Sequence, residues 1–104
     1  MNSPIRVLNI DDSKYVRLVL ARMLEDVEDI NVIGQAEDGI SGLAMARRLQ
    51  PDVMTLDIEM PGIDGLELLR RLLPEQPIPV VMLSSLTRAG AETTEQVLDW
   101  CEDL

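Results

Sequence analysis

Four short apolar runs alternate along the chain with stretches in which apolar residues recur every three or four positions. Residues 5–10 (Ile5-Arg6-Val7-Leu8-Asn9-Ile10) predict a first strand, and Ser13 caps a helix whose Val16, Val19, Leu20, Met23 and Leu24 make one apolar stripe. Residues 31–36 predict a weaker second strand. Asp38-Gly39 reads as a turn and opens a helix from about Ile40 to Leu49, which Gln50-Pro51 stops because proline disfavours helical backbone in the residue before it. Residues 52–57 predict the third strand, and Asp64 caps a helix carrying Leu66, Leu69 and Leu73 that ends at Pro74. Pro77-Ile78-Pro79 leads into a fourth strand at 80–83, and a last helix is expected from Ala91 to Cys101.

This alternation predicts an α/β fold: a doubly wound parallel sheet with helices on both faces and right-handed crossovers, in one small domain without repeats or linkers. Ligands in such sheets gather at the carboxyl ends of the strands, near the point where strand order reverses. Asp11 and Asp12 close the first strand, Asp57 closes the third and Ser84 follows the fourth. Acids crowded at one rim repel one another, and a hard divalent cation with oxygen ligands, Mg²⁺ above all, relieves the repulsion. One carboxylate, Asp57, is then placed to attack a phosphoryl group and form an aspartyl phosphate. The Ser84 hydroxyl is a donor for a phosphoryl oxygen. Glu59, two residues beyond Asp57, offers a backbone carbonyl to the metal.

Composition narrows the field. The chain has 104 residues, of which 46% are hydrophobic, with one Trp, one Tyr and no Phe, so the core is built from aliphatic residues and methionine. A formal charge of −10 argues against direct contact with nucleic acid or anionic lipid. Histidine is absent, which excludes a Ser-His-Asp triad within the chain. The lone Cys101 makes no internal disulfide, and no apolar run approaches a membrane span, so a cytoplasmic setting is the default expectation. Lys14, the only lysine, reads as a solvated cation beside the acids.

The motifs Ile10-Asp11-Asp12-Ser13, Pro51 through Asp57, Met60-Pro61-Gly62-Ile63-Asp64-Gly65 and Val80-Val81-Met82-Leu83-Ser84 together resemble the receiver domains of bacterial two-component response regulators. Leu56-Asp57-Ile58-Glu59-Met60-Pro61 and Pro79 through Thr87 look most like the regulatory domain of the chemotaxis protein-glutamate methylesterase. The resemblance implies a flavodoxin-like (βα)5 fold, of which this chain carries a (βα)4 portion and is therefore C-terminally incomplete. It implies Asp57 as phospho-acceptor, and Mg²⁺ held by Asp12, Asp57 and the Glu59 carbonyl, with Asp11 as a further acidic ligand often acting through water. It implies Ser84 as switch hydroxyl and a sensor histidine kinase as phosphodonor. The effector domain of a longer parent is a second implied partner, and esterase activity is not expected in this chain.

Members of that family have a lysine after a fifth strand that pairs with the phosphoryl group, and this chain stops at Leu104 before it. The fourth strand is then expected to be an exposed apolar edge open to pairing with a second copy. Two other functions share the same acids. A Mg²⁺-dependent phosphohydrolase needs an aspartate shortly after the nucleophile, where this chain has Glu59. A degenerate interaction or dimerisation module keeps the fold but no longer signals.

Overall fold

The structure, a computed structural model, describes residues 3–83. The expected last helix, Ser84, Ser85, Thr87, Trp100 and Cys101 lie outside the described residues. The elements are β1 (Ile5–Ile10), α1 (Lys14–Glu25), β2 (Ile30–Ala36), α2 (Gly39–Leu49), β3 (Val53–Asp57), α3 (Gly65–Leu72) and β4 (Val80–Leu83). All four strands are parallel, in the order β2-β1-β3-β4. The chain leaves β1 for β2 on one side and returns to β3 on the other, so the reversal of strand order falls between β1 and β3.

Helix starts follow their capping side chains. Ser13 Oγ accepts from the Val16 N–H at 3.3 Å, Asp38 Oδ1 from the Ser41 N–H at 2.7 Å, and Asp64 Oδ1 from the Glu67 N–H at 2.9 Å. Asp38 is thus a helix cap where the sequence predicts a turn, because its extended backbone frees the side chain to reach into the first turn of α2. At the other end of α2, Gln50 takes the left-handed conformation (φ 48°) while the Arg6 guanidinium donates to the Gln50 and Leu49 carbonyls at 2.9 and 2.8 Å.

The core lies on one face of the sheet. Leu8 and Ile10 of β1, with Met54 and Leu56 of β3, alternate toward Leu43 and Ala46 of α2 and Leu68, Leu69 and Leu72 of α3. Gly42 lets α2 come close: a Cβ there would lie 2.8 Å from Ile10 Cδ1. The opposite face carries α1. Of its apolar stripe, Leu20 and Leu24 are half-buried while Val16, Val19 and Met23 stay exposed, Met23 at 63%, and α1 contains no fully buried residue. Among the described residues α1 packs chiefly on β2 and β1, whereas α2 packs on α3 as well as on the sheet. No helix among the described residues is long and apolar enough to cross a membrane.

Candidate metal and phosphoryl-acceptor site

The acids meet because three short backbone devices bring them to one rim. Asp11 continues β1 by donating its N–H to the Ala36 carbonyl at 3.0 Å, which carries the chain past the sheet edge before α1 begins. Asp57 is the last residue of β3, paired in register with Leu83 of β4. Gly65 then brings the start of α3 underneath: its N–H donates to the Ile58 carbonyl at 2.9 Å, and a Cβ at this position would lie 2.7 Å from the Asp57 carbonyl oxygen. Only a residue without a side chain fits there without displacing the end of β3.

One carboxylate oxygen from each of Asp11, Asp12 and Asp57 lies within 4.8 Å of the others. They line an open cavity of about 320 Å³ together with Ser13, Val16, Glu59 and Leu83. Asp11 is buried and Asp12 exposed, with Asp57 between them. The Asp57 carboxyl is pushed up to about 7, first by burial, then by a hydrogen bond to Asp12 that only its protonated form donates, and by the Asp11 charge. The Glu59 N–H, donating to Asp57 Oδ1 at 3.2 Å, opposes this. Asp11 is also raised, chiefly by burial and further by the Asp12 charge, against a lowering by the Ser13 N–H, which donates to Asp11 Oδ1 at 2.8 Å.

The donor set fits a hard cation. Every side chain that converges is a carboxylate, and burial, with the hydrogen bond to Asp12 and the neighbouring acid charges behind it, holds a proton on Asp57 near neutrality. Arg17 lowers the Asp11 carboxyl in part, but its guanidinium is directed at the Asp11 backbone carbonyl, not at the carboxylates. Lys14, the first residue of α1, is exposed. Asp11, Asp12 and Asp57 are therefore brought together as the sequence predicts, and Glu59 lines the same cavity. Ser84 lies outside the described residues.

A sequence profile of the response regulator receiver domain matches residues 7–100. The chain belongs to the receiver domain family. A protein-glutamate methylesterase/protein-glutamine glutaminase of Symbiobacterium thermophilum is 54% identical over 95 residues, which cover 91% of this chain and 26% of that protein. The chain thus spans about a quarter of the length of the curated relatives it matches. The crystal structure of the response regulator domain of Thermotoga maritima CheB superposes with a TM-score of 0.85 at 43% identity, covering 92% of this chain and 72% of that one. A structure described as the P1 domain of CheA3 in complex with CheY6 from R. sphaeroides is similar at a TM-score of 0.77 and 32% identity, covering 94% of this chain and 77% of that one. The receiver fold is shared with these proteins.

Sequence reasoning overlooked several residues that shape this receiver's pocket. Gly65 sits inside a recognised motif but has no role assigned until the 2.7 Å approach to Asp57 is seen. Asn9 and Thr55, directly paired across β1 and β3, are buried polar residues inside otherwise apolar strands. Their polarity two positions before Asp11 and Asp57 was the signal available.

Proposed function

We propose that this receiver domain accepts a phosphoryl group on Asp57 from a histidine kinase and uses the modified state to change its affinity for partners, in a chemotaxis pathway. The observation that carries the reading is the convergence of the Asp11, Asp12 and Asp57 carboxylates within 4.8 Å at the switch point of a parallel sheet. Asp57 ends its strand at the open cavity, where an Oδ atom can attack phosphorus in line while the donor imidazole leaves with its electron pair. The Glu59 N–H, already directed at Asp57 Oδ1, holds the carboxylate plane.

Asp11, Asp12, Asp57 and the Glu59 carbonyl are the residues that would hold Mg²⁺. When bound, the ion supplies charge neutralisation for the phosphoryl oxygens. Ser84 is proposed as the switch hydroxyl on its place directly after β4. The kinase as partner is supported by the similar chain solved with a P1 domain. An effector domain as second partner is supported by relatives about three and a half times as long. The esterase named in those relatives is assigned to that remaining length, and this chain to the control of it. Pairing of two copies along β4 is supported by the position of that strand at the end of the sheet order among the described residues, with Val81 52% exposed. A cytoplasmic setting suits these partners.

The test is labelling with acetyl phosphate and Mg²⁺, followed by mass spectrometry of the intact chain. One phosphoryl group is expected, lost in Asp57→Asn and in the presence of chelator. Labelling that persists in Asp57→Asn would reject Asp57 as acceptor. Labelling without any change in oligomeric state or partner binding would point instead to a module that accepts phosphate yet transmits nothing.

A further inference from the structure

Three hydrogen bonds join β1 and β3, the two strands that carry the acids, to helix α1. Thr55 Oγ1 donates to Asn9 Oδ1 at 2.9 Å, both side chains being buried. Asn9 Nδ2 donates to the Arg17 carbonyl in α1 at a longer 3.4 Å. The Arg17 guanidinium returns to the Asp11 carbonyl. Thr55 stands two residues before Asp57, and Asn9 two residues before Asp11. Side chains alternate along a strand, so each polar residue lies on the same face as the acid it precedes.

From this geometry we infer that Thr55, Asn9 and Arg17 form a brace whose function is to fix the Asp11-Asp12 turn at a set distance from Asp57. They are positioning residues, and the inference rests on the pocket being the metal and phosphoryl site proposed above. Apolar packing on the α1 face is thinner: Val7 is buried there, but among the described residues the main buried cluster gathers the α2 and α3 side, and α1 buries none of its residues. An apolar pair at positions 9 and 55 would fill the same space without needing partners. The polar pair instead ties β3 to β1 by side chains and β1 to α1. The Arg17 fork then closes the ring onto the backbone of the acid turn. A change in the spacing of the acids therefore requires breaking a buried hydrogen bond.

The test separates positioning from folding. Thr55→Val leaves Asn9 Oδ1 buried without its donor, whereas Asn9→Val combined with Thr55→Val removes both partners and restores an apolar fit. Mg²⁺ binding by calorimetry, the rate of labelling by acetyl phosphate and thermal unfolding would be measured on the full chain. The double variant is expected to melt near wild type yet to bind Mg²⁺ on the order of tenfold more weakly, as happens when groups behind metal ligands are removed. Thr55→Ser, which keeps the hydroxyl, is expected to bind Mg²⁺ as wild type does even if it melts lower. Arg17→Lys should retain more affinity than Arg17→Met. A double variant with wild-type Mg²⁺ affinity and labelling rate would overturn the brace while leaving Asp57 as acceptor. Equal losses in Thr55→Ser and Thr55→Val would overturn it too, should the double variant fail to fold. Failure of the wild-type chain itself to bind Mg²⁺ would sink the reading of the pocket, and the brace with it.

Discussion

Replacing Asp57 by asparagine should make the metal-free domain more stable, by an amount that depends on pH. Asparagine keeps an Oδ1 to accept the Glu59 N–H but carries no charge to set against Asp11 and Asp12. The folded-state carboxyl stands at about 7 against an ordinary value of 3.8, so the folded chain holds a proton that the unfolded chain has released. The unfolded state therefore binds fewer protons across this interval, and stability falls as pH rises through it. The penalty is absent below the unfolded value and complete above the folded one. The full displacement corresponds to about 4 kcal/mol. Water and counter-ions at an open rim screen part of this, so a gain of about 2 kcal/mol is expected at about pH 8.

For a domain of this size that gain raises the melting temperature by roughly 10 °C. At about pH 4 the gain should shrink to a few tenths of a kcal/mol. The assay is thermal unfolding followed by circular dichroism in chelator at both pH values. Mg²⁺ provides a second arm: at tenfold over its dissociation constant it should stabilise wild type by about 1.4 kcal/mol and the variant by much less. An asparagine variant no more stable than wild type at high pH, or equally stabilised at both, would refute the burial and crowding of the Asp57 charge on which the pocket is built.

Asp12→Ala should likewise raise the melting temperature in chelator and weaken Mg²⁺ binding, and an unchanged affinity on titration would remove Asp12 from the ligand set. Gly65→Ala, which in an open helix would be favourable, should here cost about 1–3 kcal/mol and slow phosphorylation, because its methyl meets the Asp57 carbonyl; urea unfolding together with the labelling rate measures both effects. Leu69→Ala, at a fully buried position against the sheet, should cost about 2–5 kcal/mol, while Leu18→Ala on exposed α1 should stay within about 0.5 kcal/mol. Equal losses at those two positions in urea titration would contradict the one-sided core.

The sequence alone determined the order and type of the elements from β1 to β4, because apolar periodicity, Ser13 and Asp64 as caps and the prolines as stops are local signals. It also determined that Asp11, Asp12 and Asp57 would share a rim, since strands that alternate with helices run parallel and leave all their carboxyl ends on one side. Tertiary structure decided the rest. An apolar stripe on α1 says that the helix can bury a face, not that anything is there to cover it, and Met23 accordingly stays exposed among the described residues. Nor does a pattern of residue types carry the distances that matter at the pocket. That Gly65 passes under Asp57, and that Thr55 reaches Asn9 while Asn9 reaches α1, depend on register between segments far apart in the chain. Such register is set by how the whole sheet packs, and no local stretch of sequence encodes it.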